Sequence, residues 1–330
     1  MLSRRAFLGA CALLPLAACA KGGAAPRAQE SIQSSFFCFD TVCALGGVMP
    51  QDVLEAAVVR CQDFEQMLSR TIATSDVGRI NAAKGEPVQV APETADLISQ
   101  ALRYCEESDG LFDITIGAVT ELWDFHEGIV PDESVLEEAV KHVGWQGVAV
   151  DLASNTVTLA DPDARLDLGG IAKGYVTDVI VAQLADAGVQ SAFVNLGGNV
   201  AVLGNKSDGT PWRIGVRDPW DPAGEKSVAV VHASSGSVVT SGLYERQFEK
   251  DGHKYWHILD PRTGYPVSSD IVSASIYSEQ SVDGDGFTKP LFMLGCDEAF
   301  AFLDAHDLDA LLIKEDGTRI TTSNSAFEIL

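Results

Sequence analysis

Two acids bracket three glycines and a lysine in Asp167-Leu168-Gly169-Gly170-Ile171-Ala172-Lys173-Gly174-Tyr175-Val176-Thr177-Asp178. These residue types suit a phosphorylated ligand. Glycines let the backbone approach a bulky anion, and the free N–H groups of a helix start favour negative charge. Lys173 can meet a phosphate, and Asp178 can accept hydrogen bonds from a ribose or a base. The segment is neither of the common nucleotide signatures, since the chain has no G-x-x-x-x-G-K-[ST] and no G-x-G-x-x-G after a strand.

Five other segments carry residues of the same kind. Ser75-Asp76-Val77-Gly78-Arg79-Ile80-Asn81 is polar and lies between two helical patterns. Gly110-Leu111-Phe112-Asp113-Ile114-Thr115-Ile116-Gly117 is followed by Trp123. Asn195-Leu196-Gly197-Gly198-Asn199 follows the first motif closely. Thr240-Ser241-Gly242-Leu243-Tyr244 leads to His257-Ile258-Leu259-Asp260-Pro261-Arg262-Thr263-Gly264-Tyr265-Pro266, and Asp283-Gly284-Asp285-Gly286-Phe287-Thr288-Lys289 comes last. Each has a plain reading alone. Asp-Pro-x-x-Gly is an ordinary turn. His253 and His257 lie four apart, but in a strand-and-turn pattern rather than on a helix, which disfavours a metal pair. Asp283-Gly284-Asp285 lacks the glutamate that a calcium loop requires.

The elements that must position these residues follow from periodicity. Phe36 to Leu45 reads as a strand. Gln51 to Ser69 is an amphipathic helix with Val53, Leu54, Ala57, Val58, Cys61, Phe64 and Leu68 on its apolar stripe. A second helix runs from Pro92 to Glu107 and a third from Asp132 to Val143. Val148–Asp151 and Thr156–Leu159 form a hairpin. The glycine-rich motif joins a strand, Ala164 to Leu168, to a helix, Ile171 to Ala187. Short strands follow at Ala192–Asn195, Val200–Leu203, Trp212–Val216, Ser227–His232, Val238–Thr240, Glu245–Phe248 and Tyr255–Asp260. The end carries a strand at Ile271–Tyr277, a helical region broken near Gly295, and a strand at Ala310–Ile313. Helices crowd the first half and short strands the second. The expected class is therefore α+β, a single domain with a mixed, largely antiparallel sheet packed with helices.

The N-terminus reads as a targeting segment. Ser3-Arg4-Arg5-Ala6-Phe7-Leu8 is a twin-arginine pattern, and the apolar run Ala6–Leu16 is too short to span a bilayer. Leu16-Ala17-Ala18-Cys19 has the form of a lipoprotein cleavage box. The expected organisation is a signal peptide over 1–18, a tether over 19–34 beginning at a lipidated Cys19, and one domain over 35–330. The protein would then stand on the extracytoplasmic face of the cell membrane. Among 330 residues, 23 Lys and Arg face 47 Asp and Glu, a net charge of −24. So acidic a chain disfavours nucleic acid, and any anionic ligand must find its positive charge locally or from a metal. Cys38, Cys43, Cys61, Cys105 and Cys296 lack a C-x-x-C spacing and sit mostly in apolar patterns, so neither a disulfide framework nor a zinc cluster is expected.

In this order the segments resemble the ApbE family, the FAD:protein FMN transferases. The most specific parts are D-L-G-G-I-A-K-G-Y-x-x-D, T-S-G-x-Y and H-I-x-D-P-R-T-G-x-P. The resemblance implies FAD as substrate and a divalent metal, usually magnesium. The reaction would join FMN to a threonine or serine of a client flavoprotein and release AMP. It implies FAD-binding roles for Asp76, Asp113, Trp123, Lys173, Asp178, Gly197, Gly198, Ser241, Gly242, Tyr244 and His257. Lys173 and Asp178 would hold the adenosine end, Trp123 and Tyr244 would offer aromatic faces, and His257 would face the pyrophosphate. Asp260 and Arg262 would fix the turn that presents His257. His257 and Asp285 would be catalytic, and the metal would use Gly170 and Asp285.

The last segment departs from the family pattern, an acid followed four residues later by threonine. Counting back from Gly295 puts the acid at Asp285 and Lys289 where threonine normally stands. A helix bulge would restore Thr288 as a ligand, Asp283 would take over, or Lys289 would sit at the metal position. The departure keeps two alternatives in view, an FAD-binding lipoprotein that transfers nothing and an FAD pyrophosphatase giving FMN and AMP.

Overall fold

The computed structural model describes residues 30–330. The expected signal peptide, Cys19 and most of the expected tether lie outside them. The frame is an eight-stranded sheet whose strands follow one another in chain order: Ile32–Cys38, Thr41–Gly47, Ala192–Leu196, Asn199–Leu203, Ser237–Gly242, Ile271–Ser278, Asp309–Lys314 and Arg319–Thr321. Every neighbouring pair is antiparallel. The α+β reading holds, and the sheet is wholly antiparallel rather than mixed.

Two helices, Ala172–Asp186 and Ser281–Ala305, lie on one face, packed on each other and on the central strands, and Gln51–Leu68 packs beside them. Gln51–Leu68 forms because Leu54, Ala57, Cys61, Phe64 and Leu68 recur at helical spacing and are all buried. On the other face, a three-stranded sheet (Trp212–Arg217, Ser227–Ala233, Glu328–Ile329) closes a second apolar core. There Ile214, Val216, Val228 and Val231 cluster with Val202, Leu311 and Ile313. No helix of the described residues is long and apolar enough to cross a membrane. The five described cysteines are buried free thiols.

Three expectations are corrected. Phe36–Leu45 is not one strand. It turns at Phe39 and Asp40, both at positive φ (53° and 56°), the geometry of a two-residue hairpin turn. Ala164–Leu168 is not a sheet strand. The Asn81 side chain takes the place of a neighbouring strand there, donating to the Leu166 carbonyl (2.9 Å) and accepting from its N–H (2.7 Å). Tyr255–Asp260 splits: His253–Trp256 pairs with Gln247–Lys250, and His257 begins a separate turn. The break at Gly295 is present, with φ 72° inside the last long helix.

Candidate active site

The glycine-rich motif is held from both ends. Asp167 accepts from Gly169 N (2.8 Å) and Thr120 Oγ1 (2.9 Å), and pairs with Arg70 Nε at 3.1 Å. The helix that follows presses closely on Ser281–Ala305. A Cβ on Gly174 would lie 2.6 Å from the Ser281 carbonyl oxygen, so a glycine is required where the helices meet. At this contact the Gly174 N–H donates to Asp285 Oδ2 at 2.6 Å.

Asp285 is 1% exposed and spends its other oxygen on Lys289, whose Nζ lies 2.9 Å from Oδ1 and 3.1 Å from the Asp285 carbonyl oxygen. Burial opposes ionisation of Asp285, but the ammonium groups of Lys289 and Lys173 outweigh it and hold the carboxyl below its ordinary value. The Lys289 stem passes Gly170, with Cε 3.9 Å from the position a Gly170 Cβ would take. Thr288 does not join this group, because no bulge rotates it there. Its hydroxyl meets Ser241 Oγ at 2.8 Å. Asp283 does not take over either, since it accepts from Tyr104 Oη (2.6 Å) and Arg103 Nη2 (3.1 Å) on another helix.

The residues expected to hold magnesium therefore do not fit a divalent ion. One carboxylate oxygen is taken by a backbone N–H, the other carries an ammonium, and the threonine points to a strand. Magnesium demands hard oxygen donors in near-octahedral array. Among the described residues one other acid–histidine group stands close together, His142, Asp161 and Asp163. Its members are already paired, His142 with Asp161 and Asp163 with Lys84.

His257 is placed by the turn behind it. Asp260 receives Arg262 in a bidentate pair (Nε 2.9 Å, Nη2 2.7 Å), and its carbonyl oxygen accepts from Gly264 N at 2.8 Å. The His257 N–H is anchored on the Arg246 carbonyl oxygen at 3.0 Å. Its Nδ1 is buried with no hydrogen-bond partner among the described residues. Burial, then the charges of Arg246, Lys173 and Lys289, push the imidazole down to about 3. The charges of Arg246, Lys173 and Lys289 thus reach one neutral histidine in a protein of net charge −24, and Arg246 is itself exposed and paired with Asp40 Oδ2 at 3.1 Å. Lys173 makes no ion pair or side-chain hydrogen bond among the described residues. Arg246 was not singled out in the sequence, although it stands two residues after Tyr244.

Several expected contacts are committed elsewhere. Asp178 accepts from Ser281 N (2.7 Å) and Val282 N (2.9 Å), capping the neighbouring helix because Gln280, at its N-cap, supplies no side-chain bond. Asp178→Ala is expected to cost about 1–2 kcal/mol, read as a lowered thermal midpoint. Asp76 ties Arg79 to the Pro92–Glu107 helix start through Ala91 N (2.8 Å) and Thr94 Oγ1 (2.7 Å). Asp113 accepts from Thr115 and from Trp145 N, bracing its own loop. Trp123 spends its N–H on the Gly264 carbonyl oxygen and stacks on Phe125 inside an aromatic cluster. Gly197 (φ 61°) and Gly198 (φ 100°) turn the chain between two central strands, and a Cβ on Gly197 would strike Thr41. Gly242 lies beneath the Tyr244 ring, and Arg217 stands over that ring at 5.6 Å.

Fold and site together define an α+β protein in which a glycine-rich helix junction holds a carboxylate–ammonium pair and a histidine is kept neutral by burial and nearby cationic charge. The chain matches the ApbE family over residues 39–312. It is 38% identical over 281 residues to a FAD:protein FMN transferase of Treponema pallidum (strain Nichols), covering 80% of this chain and 77% of that protein. It is 37% identical over 264 residues to one of Klebsiella pneumoniae (strain 342), covering 79% and 81%. The crystal structure of the ApbE protein from Thermotoga maritima superposes with a TM-score of 0.83 at 31% identity, covering 89% of this chain and 97% of that one. The chain belongs to the ApbE family.

Proposed function

We propose that this protein transfers FMN from FAD to a serine or threonine of a client flavoprotein, releasing AMP. The carrying observation is the Asp285–Lys289 pair fastened to Gly174 at the start of the glycine-rich helix and passing Gly170, together with the unpartnered His257 Nδ1, which the charges of Lys173, Lys289 and Arg246 reach. FAD is joined through a pyrophosphate of two negative charges, and the unspent N–H of Lys289 and the ammonium of Lys173 suit such a group. Phosphoryl transfer needs mainly positioning and charge stabilisation. The acceptor hydroxyl oxygen attacks the phosphorus on the FMN side. The P–O bond to AMP breaks, its electron pair leaves with AMP, and the hydroxyl proton passes to His257. Asp285, expected as ligand or base, already accepts from Gly174 N–H and from the Lys289 ammonium and acts by positioning Lys289. Trp123, Asp76, Asp113 and Asp178 support the site from behind.

The test is incubation of the purified protein with FAD and a purified client carrying an acceptor threonine. Flavin fluorescence on the client band of a denaturing gel, with one AMP per flavin, is expected. Free FMN with AMP would replace transfer by hydrolysis, and bound FAD without AMP would reduce the protein to a flavin carrier. The reading includes an extracytoplasmic site of action, with the chain anchored through a lipid on Cys19. It rests on the Leu16-Ala17-Ala18-Cys19 box and the small, polar tether after it. A mature N-terminal peptide without acyl mass on Cys19 would refute the anchor.

A further inference from the structure

The position that faces Gly170 and Asp285 is filled by a side chain of this protein. Lys289 is four residues after Asp285 on one helix, so both lie on the same face. Its side chain is 18% exposed and that of Asp285 is 2% exposed. An ammonium has three donors. Two are spent on Asp285, one on Oδ1 and one on the backbone carbonyl oxygen, and the third is unspent among the described residues. The pair cannot relax into an ordinary surface ion pair, because Asp285 is also fastened to Gly174 N–H at the helix contact. A divalent ion arriving at Asp285 would have to displace a part-buried ammonium from its carboxylate. Part of the positive charge that holds His257 neutral already comes from Lys289.

We propose that Lys289 is the resident cation of the site, taking against the pyrophosphate of FAD the place a divalent metal would occupy, so that transfer proceeds without magnesium. This rests on the transferase reading. As the bond to AMP breaks, the leaving phosphate oxygen gains charge, and the free N–H of Lys289 donates to it. Asp285 keeps the ammonium aimed and does not itself exchange a proton. Lys289 donates hydrogen bonds throughout and keeps its charge, so the step balances with the acceptor proton on His257 and the electron pair on AMP.

The test uses the full mature chain with FAD and purified client, in EDTA and in excess magnesium. AMP release and FAD binding, the latter by quenching of flavin fluorescence, are read in parallel. Wild-type rates are expected to be the same in both buffers. Lys289→Thr exchanges the ammonium for a hydroxyl and opens Asp285. It is expected to lose about 10²–10³-fold of AMP release in EDTA and to regain part of it with magnesium. Its thermal midpoint should rise on adding magnesium, whereas that of the wild type should not. Wild-type AMP release that vanishes in EDTA and returns with magnesium overturns this inference and leaves the transferase reading intact. FAD binding with no AMP from the wild type in either buffer overturns both. The wild-type arm needs no variant to fold.

Discussion

Replacing His257 by asparagine is expected to lower FMN transfer by about 10²–10⁴-fold while FAD binding changes little. The imidazole is neutral for two reasons that act together, burial and the nearby charges of Arg246, Lys173 and Lys289, which push it down to about 3. So depressed a base is weak in the free protein. Binding of the pyrophosphate sets negative charge among the same cations and lifts the imidazole toward the range where it can take a proton. The base thus gains strength only when the substrate is in place. Single-turnover AMP release should show the loss, and flavin quenching should show binding retained. Transfer by His257→Asn at the wild-type rate would refute the role.

The same residue has a signature in stability. The unfolded imidazole has its ordinary value of 6.5 and the folded one about 3. Between these values the unfolded chain takes up a proton that the fold refuses. Stability from this group is complete above 6.5 and falls as pH drops toward 3, at about 1.4 kcal/mol per pH unit. His257→Asn should flatten this part of the acid limb. Urea midpoints of both proteins at neutral pH and near pH 4 measure it. An unchanged acid slope would mean that His257 is not held neutral.

Helices with long apolar stripes were legible in the sequence almost to the residue. Gln51–Leu68 and Pro92–Glu107 were read because burial repeats at helical spacing and proline marks one start. The hairpin turn at Phe39-Asp40 was not legible, because it reaches positive φ without glycine or asparagine. Leu166 imitates a strand because its neighbour is the side chain of Asn81, 85 residues away. The site shows the same division. The resemblance to the ApbE family, rather than types and spacing alone, brought His257, Lys173, Asp285 and Lys289 together. It did not reveal which acids spend their oxygens on backbone N–H groups, because Asp178 serves the start of a helix more than 100 residues further on. A local pattern reports what a residue offers and is silent on which distant donor takes it first. Arg246 was missed for the complementary reason. Arg246 is exposed and paired with Asp40, and nothing in a short strand pattern shows that its charge also reaches His257.

Asp285→Ala is expected to abolish transfer and also to destabilise the fold by about 3–5 kcal/mol, because it leaves the Lys289 ammonium without its carboxylate and the Gly174 N–H without an acceptor. That is a large part of the 5–15 kcal/mol typical of a folded domain, and the thermal midpoint should fall by roughly 5–10 °C. Loss of activity in this variant alone is therefore ambiguous between chemistry and collapse. The double variant Asp285→Ala with Lys289→Met separates them. It removes both charges, and replacing a whole buried pair by apolar groups is often neutral where breaking it is not. Stability should return by about 2–3 kcal/mol, with only the Gly174 N–H left unpaired. Transfer should not return, because the ammonium is gone. A double variant as unstable as Asp285→Ala would mean that Asp285 matters to the fold through Gly174 rather than through Lys289. A double variant that transfers FMN would mean that the buried pair is structural and the charge on the leaving oxygen is met by Lys173 and Arg246 alone.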